Sequence, residues 1–238
     1  MTLSIVIPAF NEEARIEGAL ARIASFTNVI GLTEVVVVDD GSADRTADIV
    51  RAFAERTVEP RIRLLQHPQN RGKGAALRTG LLAAESDAVG YIDADLSVSP
   101  GSFVDAQEQL ARGADVVAGA RVDGDGSHER VGQPLLRRLL GHMFVATQQR
   151  IVGLPQQDTQ CPFKLLTREA ARAIVAECAV DGWAFDVELL LVAQRQGWRV
   201  TEMPVEWRHI EGSRLRSDPA TALRTLRELV AIRRHNGI

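Results

Sequence analysis

The chain of 238 residues is 45% hydrophobic and 25% charged, which is typical of a water-soluble globular protein and is enough for one large α/β domain or two small ones. Its formal net charge of −3 does not fit a general nucleic-acid-binding protein, and two cysteines are too few for a disulfide framework or a cysteine-based zinc site. The sequence has neither an N-terminal secretion signal nor the roughly 20 consecutive apolar residues that a membrane-spanning helix needs. We therefore expect a cytoplasmic protein that is soluble or peripheral to a membrane.

Apolar, β-branched segments alternate with segments of helical spacing through the first half of the chain. This alternation predicts an α/β fold with a mostly parallel central sheet that is flanked by helices on both faces. The predicted strands are 3–8, 34–38, 61–66, 88–92 and 115–118, and the predicted helices are 12–26, 43–54, 73–84 and 101–112.

The second half is less regular. A Gly-rich polar segment at 122–133 predicts a mobile loop, and apolar spacing predicts helices at 134–151 and from about 185. Two short strands at 199–203 and 205–208 are expected on either side of Pro204. The pair Asp218-Pro219 predicts the start of a last helix, because an acidic N-cap often precedes a proline at the first helical position.

Four of the predicted strands are followed by clusters of polar side chains. Ligands bind at the carboxyl ends of the strands in open α/β sheets, so these clusters predict a ligand site at one edge. Each cluster alone could be a helix cap, which is a weaker explanation for all four. No Gly-x-Gly-x-x-Gly or Walker A sequence is present. The clusters are Pro8-Ala9-Phe10-Asn11-Glu12-Glu13, Asp39-Asp40-Gly41-Ser42-Ala43-Asp44, Asn70-Arg71-Gly72-Lys73-Gly74 and Asp93-Ala94-Asp95.

Asp93 and Asp95 are the candidates for a metal site. They follow a buried apolar strand, and their oxygens are ligands that Mg²⁺ and Mn²⁺ prefer. Such a pair also occurs in solvated turns, so the other clusters are needed to favour the metal. Lys73 and the amides that begin the next helix can bind a phosphate. Together these groups predict a nucleoside diphosphate that is held by a metal.

The four clusters, in this order and spacing, resemble the family 2 glycosyltransferases with the GT-A fold. The resemblance implies one domain over 1–238, with a nucleotide-sugar-binding half (1–120), a smaller acceptor-side half (121–213) and a basic C-terminal helix (214–238). It implies that Asp93 and Asp95 bind Mg²⁺ or Mn²⁺. It also implies that the sugar nucleotide is held by Pro8, Ala9, Phe10, Asn11, Glu12, Asp39, Asp40, Gly41, Ser42, Lys73, Asp93, Ala94 and Asp95.

Motifs of the second half are similar to those of dolichyl-phosphate β-glucosyltransferases and bacterial polyprenyl-phosphate glycosyltransferases. The resemblance implies an inverting transfer of a hexose from a nucleoside diphosphate sugar, with UDP-glucose favoured, to a polyprenyl phosphate. The motifs are Asp158-Thr159-Gln160-Cys161-Pro162-Phe163-Lys164, Trp183-Ala184-Phe185-Asp186-Val187-Glu188-Leu189-Leu190, Val205-Glu206-Trp207 and Glu211-Gly212-Ser213.

Three residues are candidates for a catalytic role: Lys73, Asp158 and Asp186. A phosphate acceptor is already ionised at pH 7 and needs no strong base. Asp158 or Asp186 would then orient the substrates, or act as a base if the acceptor is a hydroxyl. Arginine binds phosphate through a fork of donors, so the candidates for the acceptor phosphate are Arg121, Arg130, Arg137 and Arg138, which could also form a solvated face.

Further expectations concern the core and the last helix. Cys161, Trp183 and Phe185 are expected in the core. Arginines dominate two basic segments, 130–164 and 207–238, which suggests an anionic partner such as a phosphate or a membrane surface. In the last helix Arg224, Arg227 and Arg234 are expected on one face and Leu223, Leu226 and Val230 on another, which is typical both of a peripheral membrane helix and of an ordinary surface helix.

Other functions stay open at this point. The donor could be GDP-mannose, or the acceptor a soluble molecule. A nucleotidyltransferase or a non-catalytic sugar-nucleotide-binding module would use a similar sheet. The sequence does not decide whether the protein forms a homodimer, and no nucleic-acid partner is expected.

Overall fold

The computed structural model describes residues 1–122, 153–208 and 219–235 of the chain. The predicted loop at 122–133 (apart from its first residue), the predicted helix at 134–151, and Arg130, Arg137, Arg138 and Asp218 lie outside these ranges. Within them, no helix is both long enough and apolar enough to cross a lipid bilayer.

A sheet of seven strands forms the centre of the described structure, in the order β3-β2-β1-β4-β6-β5-β7. The pairs β3-β2, β2-β1, β1-β4 and β5-β7 are parallel, whereas β6 runs antiparallel to both of its neighbours. The prediction of a mostly parallel sheet is therefore confirmed. The strands are β1 Leu3–Ala9, β2 Leu32–Asp39, β3 Arg61–Gln66, β4 Ala88–Ile92, β5 Val116–Val122, β6 Phe163–Thr167 and β7 Val200–Glu206.

Helices cover both faces of the sheet. Successive side chains of a strand point to opposite faces, so Val36 and Val38 of β2 enter one apolar layer while Val35 and Val37 enter the other. The first layer is completed by α4, α6, α7 and α8, and the second by α1, α2, α3 and α5. The helices are α1 Ile16–Ala24, α2 Thr27–Ile30, α3 Thr46–Arg56, α4 Lys73–Ala83, α5 Ser102–Ala111, α6 Arg168–Glu177, α7 Phe185–Arg195 and α8 Pro219–His235.

Three elements were not predicted: the one-turn helix α2, the strand β6 and the helix α6 that follows it. Lys164 interrupts the apolar pattern of β6, and a lysine is rarely buried unless its charge is paired. In the structure its side chain is fully buried, and its partners are the Cys161 carbonyl and the Asp186 carboxylate. The strand was not predicted because its second residue is charged, and the ion pair that allows this charge to be buried is visible only in the structure.

The predicted break at Pro204 is wrong. β7 is one continuous strand at the edge of the sheet, and Pro204 lies opposite Ala120 of β5. An edge strand has one side without a neighbour, so a proline there costs no ladder hydrogen bond when its nitrogen points outward.

The first and third helices begin three or four residues later than predicted, at Ile16 and Thr46. The residues before them form loops at the carboxyl ends of β1 and β2. The Asp44 carboxylate accepts hydrogen bonds from both the amide and the hydroxyl of Thr46, at 3.0 and 2.5 Å, and so ends the loop. Sequence that has helical spacing is therefore used to build the edge of the sheet where ligands bind.

Candidate functional site

A cavity of about 540 Å³ lies where β1, β2 and β4 end and α4 begins. Parallel strands bring their carboxyl ends to one edge, so residues far apart in sequence share its walls. The lining residues are Pro8, Ala9, Phe10, Glu12, Arg15, Asp40, Asn70, Arg71, Gly72, Lys73, Ala76, Asp93, Ala94, Asp95, Asp181, Gly182, Trp183, Arg224 and Glu228.

Most of the residues predicted to bind a sugar nucleotide line this cavity. The four that do not are Asn11, Asp39, Gly41 and Ser42. Asn11 donates its amide hydrogen to Ser42 Oγ at 2.7 Å and accepts from the Ala43 amide at 2.8 Å, while Asp39 accepts from the Ser42 amide at 3.1 Å. These residues join the β1 and β2 loops to each other, and their contact with a nucleotide stays a prediction.

Asp40 fixes the turn that precedes α4. Its buried carboxylate accepts hydrogen bonds from the amides of Arg71 and Gly72 at 3.0 and 2.8 Å and lies 2.7 Å from His67 Nδ1. Gly72 has a left-handed φ of 112°, and a Cβ there would lie 2.3 Å from the Asp181 carbonyl oxygen. Only glycine fits at this position, and the turn carries Lys73 into the cavity.

Lys73 is the positive centre of the cavity. Its Nζ lies 2.7 Å from Asp93 Oδ1 and 5.5 Å from the centre of the Trp183 ring. Burial alone would lower the pKa of Lys73, but the carboxylates of Asp93 and Asp186 outweigh it and raise that pKa above its usual value. The side chain is therefore a fixed positive charge next to the predicted metal ligands.

Asp93 and Asp95 can provide two of the ligands of a divalent cation. Burial raises the pKa of Asp93, and Lys73 offsets only part of this rise, so a second cation would stabilise the ionised carboxylate. Asp95 Oδ1 accepts the amide hydrogen of Ser97 at 2.9 Å, which orients this carboxylate. The described ranges contain no cluster of three or more metal-binding side chains. Magnesium is commonly held by one or two carboxylates together with phosphate oxygens of a substrate, and the pair fits that arrangement.

Asp186 does not line the cavity. It is 3% exposed, accepts a hydrogen bond from the Tyr91 hydroxyl, and lies 3.4 Å from Lys164 Nζ. Tyr91 and Lys164 are opposite each other on β4 and β6. The predicted catalytic role of Asp186 therefore requires that it act through Lys73.

Asp158 and Arg121 are bound to each other. Arg121 Nε and NH2 donate to the two oxygens of Asp158 at 2.6 and 2.7 Å, and the Arg121 amide donates at 3.1 Å. Burial would raise the pKa of Asp158, but Arg121 outweighs it and holds that pKa below its usual value. A carboxylate of this kind is a weak base. Both residues also lie outside the cavity lining, so their predicted catalytic and acceptor-binding roles stay predictions.

The predictions about the core and the last helix have mixed outcomes. Cys161 and Phe185 are fully buried, as predicted, and burial raises the pKa of the Cys161 thiol to about 12. Trp183 is only partly buried and lines the cavity, so its predicted place in the core is wrong. On α8, Arg224 lines the cavity whereas Arg227 and Arg234 line an outer groove with Leu226 and Val230, so the predicted arginine face is divided between two surfaces.

Sequence reasoning missed Arg15, Ala76 and two groups of lining residues, the turn at 181–183 and the pair Arg224 and Glu228. A spacing of four residues places Arg224 and Glu228 on one face of α8. The sequence therefore indicates that the two side chains are neighbours, but it does not indicate which part of the fold this face of α8 packs against.

The comparison with family models matches residues 4–175 to a family described as glycosyl transferase family 2. Similar curated proteins include dolichyl-phosphate β-glucosyltransferases from Dictyostelium discoideum (34% identical over 97% of this chain and 73% of that protein) and Homo sapiens (33% over 90% and 69%). A third, from Saccharomyces cerevisiae, is 30% identical over 97% of this chain and 74% of its own length.

Similar solved structures include glucosyl-3-phosphoglycerate synthase from Mycobacterium tuberculosis. Its complex with UDP has a TM-score of 0.69 and 21% identity, and covers 98% of this chain and 80% of that one. Its complex with Mn²⁺ and UDP-glucose has a TM-score of 0.69 and 22% identity, with coverage of 97% and 78%. At this identity the likeness shows a common fold.

Proposed function

Since the chain belongs to glycosyl transferase family 2 and has the GT-A fold, we propose that this glycosyltransferase moves glucose from UDP-glucose to a polyprenyl phosphate. The observation that carries the proposal is the meeting of Lys73, Asp93 and Asp95 on one cavity wall at the carboxyl ends of the strands. Two carboxylates beside a protonated lysine suit a diphosphate that arrives with a divalent cation.

The charged side chains of the cavity would bind different parts of the donor complex. Asp93 and Asp95 would hold Mg²⁺ or Mn²⁺, which would neutralise the charge that develops on the leaving diphosphate. Lys73 adds a second positive charge at the same place, and the charges of Asp93 and Asp186 raise its pKa and so keep its ammonium protonated. The centre of the Trp183 ring lies 5.5 Å from Lys73 Nζ, and the face of the ring attracts the ammonium.

The transfer itself is an inverting displacement. The acceptor oxygen attacks the anomeric carbon from the face opposite the diphosphate, the bond between that carbon and the diphosphate oxygen breaks, and UDP leaves. A phosphate acceptor is ionised before it reacts. The lowered pKa of Asp158 and the enclosure of Asp186 fit this reaction, because it needs no general base.

The acceptor is assigned from the relatives, whose names specify dolichyl phosphate. A lipid acceptor requires the enzyme to work at a membrane surface. The exposed Leu226 and Val230 on the outer side of α8 support peripheral contact with such a surface. The strands β4, β6 and β5 join both halves of the chain in one sheet, which supports the single domain predicted for 1–238.

The experiment is a transfer assay with radiolabelled UDP-glucose, dolichyl phosphate in detergent and Mg²⁺ or Mn²⁺. We expect label to enter the organic phase at a rate that EDTA abolishes. Parallel reactions contain labelled GDP-mannose as donor or 3-phosphoglycerate as acceptor. Transfer only from GDP-mannose would refute the donor, and label that enters only a water-soluble product would refute the lipid acceptor.

A further inference from the structure

The C-terminal helix α8 is fastened to the cavity by Glu228. Its Oε2 accepts the amide hydrogen of Ala184 at 3.0 Å. A Cβ placed on Gly182 would lie 2.0 Å from Glu228 Oε1, so the carboxylate rests directly on the backbone of this turn. The helix therefore cannot move away from residues 182–184 without breaking a hydrogen bond and a close contact.

The same turn is also packed against the start of α4. The Ala75 amide donates to the Asp181 carbonyl at 3.2 Å, and a Cβ on Gly74 would lie 2.6 Å from the Val180 carbonyl oxygen. The turn at 181–184 thus connects α8 to the segment that carries Lys73. One face of α8 is a fixed wall of the cavity.

Arg224 lies on that wall, one helical turn before Glu228. Its side chain is exposed to the cavity, and it forms no ion pair with the residues that the structure describes. Of the three other cations of the lining, two are already paired: Arg15 lies 2.8 Å from Glu12, and Lys73 lies 2.7 Å from Asp93. The third, Arg71, is exposed and, like Arg224, forms no ion pair within the described ranges.

The lining as described has an excess of negative charge. It contains six acidic residues (Glu12, Asp40, Asp93, Asp95, Asp181 and Glu228) and four basic ones (Arg15, Arg71, Lys73 and Arg224), which is a net charge of −2. A diphosphate would be repelled by this surface unless cations were directed at it. An arginine without a carboxylate partner provides a planar fork of donors that matches phosphate oxygens.

We propose that Arg224 is a donor-binding residue whose guanidinium binds the diphosphate of the nucleoside diphosphate sugar. The inference rests on the proposed function and names a part of its donor site. On this proposal the inner side of α8 is part of the donor site, whereas Arg227 and Arg234 in the outer groove are not.

The test compares Arg224→Gln with Arg227→Gln, which removes the same charge from the outer side of the same helix. Calorimetry measures the affinity for UDP and for uridine in the presence of Mn²⁺. We expect Arg224→Gln to weaken UDP binding about tenfold or more, which is the usual effect of losing a hydrogen bond to a charged group. Uridine, which has no phosphate, should bind both variants like the wild type, and Arg227→Gln should bind UDP like the wild type.

Three outcomes would overturn the inference. Arg224→Gln could bind UDP as tightly as the wild type, or lose UDP and uridine affinity equally. It could also keep its UDP affinity while the KM for dolichyl phosphate rises, which would assign the guanidinium to the acceptor phosphate. A wild-type protein that binds no UDP would instead contradict the proposed donor. Thermal unfolding of each variant, expected to be unchanged at this exposed position, excludes a loss of fold.

Discussion

Charged side chains are used differently on the two sides of β4. On the side of β1 and α4, Lys73, Asp93 and Asp95 line an open cavity and can act on a ligand. On the side of β6 and β5, Lys164 with Asp186 and Arg121 with Asp158 are paired inside the protein. A buried ion without a partner is very costly. Each charge of the second set is therefore needed to neutralise its partner, whether or not it also takes part in the reaction. An aspartate in a family motif need not be a reactive one.

The two sets are connected through β4. Tyr91 lies two residues before Asp93, so both side chains point to the same face of the strand. Tyr91 donates its hydroxyl hydrogen to Asp186, whose carboxylate also acts on the charge of Lys73. The inner pairs therefore influence the charge of Lys73 in the cavity, and separate variants can distinguish the two functions.

The largest effect is expected at Asp95. Asp95→Asn removes a proposed metal ligand from the cavity but breaks no ion pair among the residues that the structure describes. We therefore expect kcat/KM to fall at least about 1,000-fold, since metal stabilisation of a leaving group provides several kcal/mol. The free energy of unfolding should change little. Steady-state kinetics and urea unfolding measure the two quantities.

The matched control is Asp105→Asn, an exposed aspartate in the first turn of α5 and away from the cavity. It should keep wild-type kinetics. Near-normal activity of Asp95→Asn would show that the cavity carboxylates do not act on the ligand. It would contradict the claim that charged side chains have different functions on the two sides of β4.

The next effect is expected at Lys164. Lys164→Met leaves the Asp186 carboxylate buried without its counter-ion, and breaking a buried ion pair in this way typically costs about 3–5 kcal/mol of stability. Urea unfolding measures the change. The double variant Lys164→Met/Asp186→Asn should regain part of the loss, because neither charge then remains alone.

Equal stability of Lys164→Met and the wild type would contradict an internal ion pair. Recovery in the double variant is the more specific result, since loss of side-chain volume alone would not be corrected by Asp186→Asn.

A smaller effect is expected at Asp158. Asp158→Asn removes the charge that the Arg121 fork binds, and should cost about 1.5–3 kcal/mol, the range for a hydrogen bond to a charged group. The pKa of Asp158 is lower in the folded protein than its usual value. The contribution of the Asp158 carboxylate to the free energy of unfolding is therefore complete above the pKa that Asp158 has in the unfolded chain. It is lost as the pH falls through the pKa that Asp158 has in the folded protein. The stability difference between wild type and variant should thus shrink below about pH 4.

Unfolding of the two proteins from pH 7 to pH 3 measures this difference. A variant that keeps full stability but loses kcat at pH 7 would assign Asp158 to the reaction instead of the fold.

The smallest effect is expected at an exposed ion pair. Arg61 and Glu85 approach to 3.3 Å with both side chains more than 60% exposed. Arg61→Met should change the free energy of unfolding by less than about 1 kcal/mol, because water screens such pairs. Urea unfolding measures Arg61→Met together with Lys164→Met. Both variants lose one positive charge, so the difference between them gives the effect of burial. A loss as large as that of Lys164→Met would contradict this distinction.

The sequence predicts the first half of the fold well because its strands are continuous apolar segments that alternate with helices. It fails where tertiary contacts override the local pattern. The Lys164 charge conceals β6, and Pro204 is accommodated because β7 lies at the sheet edge. Loops at the carboxyl ends of β1 and β2 replace the first turns of the predicted helices before Ile16 and Thr46.

The same reasoning applies to the site. Polar clusters that directly follow strands were located from the sequence, since strand direction alone brings them to one edge. Trp183, Arg224 and Glu228 could not be located in this way. They reach the cavity because Glu228 holds α8 against the turn at 182–184, and no local pattern encodes that contact.

The most direct test is a titration of Mn²⁺, followed by electron paramagnetic resonance, in the absence and presence of saturating UDP. Asp93 and Asp95 provide too few ligands for tight binding alone, and one of them is paired with Lys73. We predict weak Mn²⁺ binding without UDP and at least about tenfold tighter binding with it, a coupling of 1–3 kcal/mol being usual between linked ligands. Mn²⁺ binding that UDP leaves unchanged or weakens would contradict a site completed by the donor diphosphate.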